Sequence, residues 1–270
     1  MRNYKIPTLT IAGSDCSGGA GIQADLKTFS AIGTYGMSVI TAITAQNTEG
    51  VFDVEELSKD IIKGQLKAVF EDIYPKGVKI GMVSSPEIIL EIAENLKKYN
   101  PEIVVVDPVM ISKSGYSLLR PEAKENLIKY LIPIAYLITP NVPEAEEITG
   151  MKIETVEDMK KAGKKILDLG PKYVLVKGGH LDGDAVDVLM GEDIFEVFTS
   201  ERLDRKNTHG TGCTLSSAIT SHIALGYDVV EAVRRSKEYI TEAIRHSFDI
   251  GHGVGPVNHF YKFEGLIFSK

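Results

Sequence analysis

Short apolar, β-rich runs alternate with longer stretches of helical periodicity along the chain. Thr8-Leu-Thr-Ile-Ala12 reads as a strand, and a glycine-rich turn leads from it into a helix from about Gly21 to Ile32. Met37 to Ala45 predicts a second strand. Leu57, Ile61, Ile62, Leu66, Val69 and Phe70 share one face of a helix to about Phe70, because a 3.6-residue period brings every third or fourth residue together. Val78-Lys-Ile80 predicts another strand. Ser85-Pro86-Glu87 then supplies an N-cap, a proline at the first position and an acid in the first turn of a helix to about Tyr99. Ile103-Val-Val-Val106 is uniformly apolar and β-branched, the pattern of a strand covered on both faces of a parallel sheet. Ala135 to Thr139 and Tyr173 to Val176 repeat it. Thr155-Val-Glu-Asp158 resembles a capping box and opens a helix to about Leu169. Val186 to Met190 and Ile194 to Phe198 flank Gly191-Glu192-Asp193 as a hairpin. Two helices close the pattern, about Thr211 to Leu225 and Val229 to Ser247, the second capped by Asp228.

Repeated β–α alternation predicts an α/β fold, a mostly parallel sheet covered by helices on both sides. No linker, repeat or low-complexity tract divides residues 1–270, so a single domain is expected. The 270 residues are 43% hydrophobic and 25% charged, with 30 basic against 37 acidic side chains and a formal charge of −7. That sign repels phosphate backbones and argues against a nucleic-acid partner. The basic clusters at Lys160-Lys161, Lys164-Lys165 and Arg234-Arg235 fall in helical patterns as solvated faces. Two cysteines exclude a disulfide scaffold. Tyr130 to Thr139, the longest apolar stretch, is about half a membrane span and is broken by Pro133, so no membrane partner is expected. Met1 to Ala12 lacks the features of a secretory signal, and a cytoplasmic protein is expected.

In such folds ligands gather beyond the carboxyl ends of the strands. The first exit reads Gly13-Ser-Asp-Cys-Ser-Gly18-Gly19-Ala-Gly21-Ile-Gln-Ala24-Asp25. Gly13 to Gly18 has the spacing of a P-loop, but Gly19 and Ala20 stand where Lys and Ser or Thr are required. Gly19 to Ala24 fits a relaxed dinucleotide-binding pattern, yet the next strand ends at Gln46-Asn47 with no ribose-binding acid before Glu49. The strongest segment is Asn207-Thr-His-Gly210-Thr-Gly212-Cys213-Thr214. Gly-x-Gly at a helix start gathers free N–H groups and the positive end of the helix dipole into an anion hole suited to a transferring phosphoryl group. Thr208, Thr211 and Thr214 add hydroxyls, and Cys213 occupies the first turn, where a thiolate is stabilised.

Three more exits carry chemistry. Asp107 directly follows the all-apolar run. Thr139-Pro-Asn141-Val-Pro-Glu144 offers Asn141 and Glu144 at a helix start, as oxygen donors to Mg²⁺ or as a plain cap. Val176-Lys177-Gly178-Gly179-His180 brings a cation to a strand end. An anion hole, a cation, metal-binding oxygens and a candidate base at one sheet edge form a phosphoryl-transfer set. His209, His222 and His246 are isolated in sequence and read as structural or surface residues.

These segments, in this order, resemble the ribokinase-like superfamily, and more closely the hydroxymethylpyrimidine/phosphomethylpyrimidine kinases of thiamine biosynthesis. Thr10-Ile-Ala-Gly-Ser-Asp15, Ser17 to Thr28, Thr139-Pro-Asn141, Val176 to His180, Asn207 to Cys213 and Gly253-Val-Gly-Pro-Val-Asn-His259 carry the resemblance. It implies a three-layer α/β/α fold and phosphorylation of 4-amino-5-hydroxymethyl-2-methylpyrimidine and then of its monophosphate. By the resemblance, ATP lies along Lys177, Thr208, Thr211 and Gly212, with Mg²⁺ at Asp107 and Glu144. The pyrimidine lies against Gly13, Asp25, Gln46, Met82 and Val109. Cys213, with Gly210, Gly212 and Lys177, occupies the catalytic place, and a homodimer is the family's pattern. Pyridoxal kinase activity is the rival reading, since both substrates are hydroxymethylated heteroaromatic rings. A non-catalytic ligand-binding relative is a further alternative, opposed by the joint presence of Asp107, Glu144, Lys177 and Cys213.

Overall fold

Strand alternation decides which side chains face which helix layer, and here it divides the interior in two. In the computed structural model, which describes residues 5–110, 118–179 and 184–267, nine strands form one sheet. They are β1 (Pro7–Asp15), β2 (Tyr35–Gln46), β3 (Val51–Glu56), β4 (Gly77–Ile80), β5 (Val104–Val106), β6 (Leu137–Ile138), β7 (Tyr173–Lys177), β8 (Ala185–Gly191) and β9 (Phe195–Ser200). Their spatial order is β3-β2-β1-β4-β5-β6-β7-β8-β9. The pairings from β2 through β7 are parallel, and β3, β8 and β9 pair antiparallel at the two edges.

Val104 and Val106, Val174 and Val176, and Val188 turn to one face. There they meet α2 (Lys59–Asp72), α3 (Pro86–Tyr99), α4 (Pro121–Asn126), α5 (Val142–Thr149) and α6 (Val156–Leu167). Val105, Leu175 and Leu189 turn to the other face, against α7 (Thr211–Ala224) and α8 (Val229–Arg245). There α1 (Gly21–Ile32) packs beside α7. The fold is thus the expected three-layer α/β/α arrangement around a mostly parallel sheet.

The helix starts follow their local chemistry. Ser58, Ser85 and Asp228 accept from backbone N–H groups of α2, α3 and α8, and Asn141 and Thr155 form reciprocal capping boxes with Glu144 and Asp158. Two expectations are corrected. β3 is a strand that the hydrophobic pattern does not predict, and β6 pairs over two residues where the pattern predicts a five-residue run. The chain before β6 is instead wound into turns through Ile134.

Near β1 the layer facing α1 and α7 is polar. Thr10 Oγ1 donates to Asp25 Oδ2 at 2.6 Å, Ser217 Oγ donates to Oδ1 at 2.7 Å, and Lys79 Nζ donates to both oxygens at 2.8 and 3.0 Å. Lys79 and Asp25 are fully enclosed, so neither charge can be solvated if the other is removed. Asp25→Ala should therefore cost about 3–5 kcal/mol. Asp25→Leu combined with Lys79→Met should recover much of that loss. Guanidinium unfolding midpoints of the single and double variants check this, and simple additivity of the two losses would contradict it.

Candidate active site

The carboxyl ends of adjacent strands lay out two neighbouring regions in strand order. Gln46 ends β2, Gly13 lies where β1 shifts register between Ala12 and Ser14, and Met82 and Val109 follow β4 and β5. These four sequence-predicted residues share one edge. Asp107, Thr139 to Glu144 and Lys177 continue the edge past β5, β6 and β7, beneath the start of α7.

The second region is built around a nearly dry ion pair. Lys177 Nζ donates to Asp107 Oδ1 at 2.9 Å, with the side chains 14% and 2% exposed. Thr139 Oγ1 donates to the same oxygen at 3.2 Å, and Ser216 Oγ of α7 lies 3.3 Å from Oδ2. The Lys177 N–H donates to the Pro140 carbonyl at 2.8 Å, locking the two strand exits together. Burial pushes Asp107 upward, but Lys177 and Lys79 outweigh it and hold the carboxyl below its usual range. Lys177 is raised in turn, since Asp107 and Glu144 more than offset its own burial. Glu144 is pushed up to about 7 by burial and by Asp107, against the pull of Lys177 and of backbone N–H groups. It remains tied to the Asn141 N–H at 2.8 Å through the capping box.

Gly212 faces this pair. A Cβ there would lie 3.5 Å from Asp107 Oδ2 and 3.6 Å from Lys177 Nζ, so the missing side chain leaves a gap bordered by helix N–H groups, an ammonium and a carboxylate. Gly210 enters α7 at φ +80°, and any Cβ would strike the Gly19 carbonyl. Thr211 Oγ1 donates to the Thr208 carbonyl at 2.7 Å, bracing the turn. The geometry brings together Lys177, Thr208, Thr211, Gly210, Gly212, Cys213, Asp107 and Glu144.

The model of the phosphomethylpyrimidine kinase family matches residues 15–258. The chain belongs to that family. It is 50% identical over 259 residues to a thiamine biosynthesis bifunctional protein of Geobacter sulfurreducens, covering 96% of this chain but 53% of that protein, so it spans about half of that relative. It is 46% identical over 262 residues to a hydroxymethylpyrimidine/phosphomethylpyrimidine kinase of Bacillus subtilis, covering 96% of each. A crystal structure of phosphomethylpyrimidine kinase from Clostridium difficile is 75% identical, with a TM-score of 0.81, over 89% of this chain and 100% of that one. An ADP complex of Bacillus subtilis pyridoxal kinase is 43% identical, with a TM-score of 0.89, over 95% and 98% of the two chains.

Within this member of the phosphomethylpyrimidine kinase family, two residue expectations are corrected. Asp25 presents no oxygen to the ring region, because its carboxylate is enclosed by Thr10, Lys79 and Ser217. Cys213 is not an activated thiolate. Its sulfur accepts from the Gly21 N–H, but burial pushes the thiol up to about 11; Lys79 opposes this, and Asp25 and Asp107 reinforce it. His180 lies outside the described residues. Sequence reasoning missed His209 as a site residue and Asp15 as the anchor of the first loop. Asp15 accepts from Ser17 N and Oγ, Gly19 N, Ala20 N and His209 Nε2.

A thiol near 11 is almost wholly protonated at pH 8, and thiolate is the alkylating species. Iodoacetamide at pH 8 should therefore modify exposed Cys16 well before Cys213, whose rate should keep climbing above pH 10. Peptide mass spectrometry follows both sites, and rapid labelling of Cys213 at pH 7 would contradict the neutral-thiol assignment.

Proposed function

We propose that the chain transfers the γ-phosphoryl group of ATP to the hydroxymethyl group of 4-amino-5-hydroxymethyl-2-methylpyrimidine, and then a second to the resulting monophosphate, in thiamine biosynthesis. The observation that carries this reading is the gap at Gly212, opening directly onto the buried Asp107–Lys177 pair. The named activities of the relatives and the ADP bound by the similar pyridoxal kinase support the substrate and nucleotide classes.

Phosphoryl transfer through a loose transition state asks the protein mainly for positioning and charge stabilisation. The N–H groups from Gly210 to Gly212 hold the equatorial oxygens, and Lys177 neutralises charge as it shifts toward the leaving oxygen. Cys213, neutral and half-buried, aligns the acceptor rather than taking its proton, which passes to an oxygen of the transferred phosphoryl group once the new P–O bond has formed and the bond to ADP has broken. Gln46, Gly13, Met82 and Val109 hold the ring. Among the described residues no three His, Cys, Asp or Glu side chains converge into a metal cage. Two carboxylates, one of them with a pKa raised by burial and by its acidic neighbour, suit Mg²⁺, which keeps its waters and is completed by phosphates. Asp107 and Glu144 would hold that ion, which would screen the phosphate charge. A single kinase domain fits the continuous nine-stranded sheet. A homodimer is supported by the exposed Ile43 and Phe52 on β2 and β3, and a cytoplasmic setting by two free cysteines. No described helix is long and apolar enough to cross a membrane.

Pyridoxal phosphorylation is the second reading, favoured by the high TM-score to a pyridoxal kinase. ADP release with each ring in turn, with Mg²⁺ and with excess EDTA, separates the two. The amino pyrimidine should give the higher kcat/KM, and EDTA should abolish turnover. Gly212→Val would fill the gap facing Asp107 and Lys177, and kcat should fall by roughly 10²-fold. Near-normal turnover of the folded valine variant would contradict the placement of the phosphoryl group.

A further inference from the structure

His209 stands immediately before the anion hole, yet its ring reaches across to the ring-binding edge. Its ring abuts Gly19, where any Cβ would strike its Cδ2. Nε2 is 2.9 Å from Asp15 Oδ2 and 3.2 Å from one terminal atom of the Gln46 amide. The other terminal atom of that amide is 3.1 Å from Thr44 Oγ1. Which amide atom is oxygen and which is nitrogen follows from hydrogen counting, since the two are nearly equal in shape.

The count has one solution. Asp15, held at about 2 by His209 and Ser17 against its burial, is a carboxylate with no proton to give. His209 Nε2 must therefore carry the hydrogen in their shared contact. A nitrogen that donates cannot accept from an amide NH₂, so Gln46 must turn its oxygen toward His209. The Thr44 hydroxyl reaches the same result independently. Its single proton goes to the Ser14 carbonyl at 2.9 Å, leaving it an acceptor, which calls for the amide NH₂ on that side. The opposite orientation would set two N–H groups against each other at 3.2 Å.

We infer that His209 is a specificity-determining positioning residue: with Asp15 it locks the Gln46 amide, acceptor toward His209 and donor toward Thr44. This rests on the reading of Gln46 as a ring-binding residue. The free lone pair and the free N–H then form a fixed acceptor–donor pair. An aminopyrimidine matches it with its exocyclic NH₂ on the His209 side and a ring nitrogen on the Thr44 side. A 4-oxo pyrimidine presents the reverse, a carbonyl acceptor beside a ring N–H donor, and meets an unpaired group at each position.

The test compares kcat/KM for hydroxymethylpyrimidine and its 4-oxo analogue in wild type, His209→Phe, His209→Gln and Gln46→Leu. Phenylalanine keeps an aromatic ring beside Gly19 but frees the amide to turn. The amino-over-oxo preference should fall at least about tenfold, through a gain on the oxo ring as well as a loss on the amino ring, with KM for ATP nearly unmoved. His209→Gln, which can still donate to Asp15, should retain most of the preference. General damage to the loop would lower both rings together. An unchanged ratio in His209→Phe with a collapsed ratio in Gln46→Leu would overturn the role of His209 and leave the ring reading intact. An unchanged ratio in Gln46→Leu would overturn the ring reading and the inference with it. A nitrogen-15 histidine NMR spectrum of the wild-type protein gives a test that needs no variant. His209 Nε2 should be protonated from pH 6 to 9, and a bare Nε2 would overturn the assignment.

Discussion

Two acidic side chains and one ammonium share a nearly dry corner at the carboxyl edge of the sheet, and the neighbouring structure serves to keep them there. Asp107 stays ionised because Lys177 and two hydroxyls face it. Glu144 cannot ionise as easily beside it and rises to about 7. The parallel strands place Asp107, Asn141 and Lys177 side by side, and the capping box fixes Glu144 at the adjoining helix start. Glycines at 210 and 212 bring the amides of α7 to the same point without side chains between them.

The neutral sulfur of Cys213 fits this economy of charge. One turn further along α7, Ser217 reaches Asp25, so the enclosed Asp25–Lys79 pair and the cysteine share one polar layer beneath the site. That hydrogen-bonded layer underlies the first turns of α7. Burial beside that layer raises the Cys213 thiol by more than Lys79 lowers it, with Asp25 and Asp107 adding to the rise, so a thiolate is disfavoured. The first loop is tied in from the other side, where Asp15 gathers four loop donors and His209. Gly255 accepts from the His209 N–H, and Val254 donates to the Thr48 carbonyl. The segment before His259 thus joins the turn between β2 and β3 to the start of α7.

What could be read from the sequence was local. Strand exits carrying Asp107, Lys177 and the 207–213 motif announce themselves because glycine spacing and an acid after an apolar run depend only on near neighbours. The Lys79–Asp25 pair, 54 residues apart, was hidden, since a lysine in a short apolar strand shows its partner only when the register is known. His209 looked isolated because its partners lie 194 and 163 residues away. For Cys213 the sequence shows the helix terminus, which favours a thiolate, but not the burial that outweighs it or the nearby carboxylates of Asp25 and Asp107. β3 escaped because Val51-Phe-Asp-Val-Glu-Glu56 lies at an edge with little core to bury, so its pattern is too polar to mark a strand.

The central claim is that the Asp107–Lys177 corner acts on the transferring phosphoryl group rather than only supporting the fold. Single-turnover transfer from γ-labelled ATP to hydroxymethylpyrimidine by Lys177→Met, with ADP affinity measured on the same preparation, tests this most directly. Transfer should slow by roughly 10²-fold or more, while ADP binding persists within a few-fold because the α7 amides remain. Transfer at close to the wild-type rate in a folded, ADP-binding Lys177→Met protein would contradict the account.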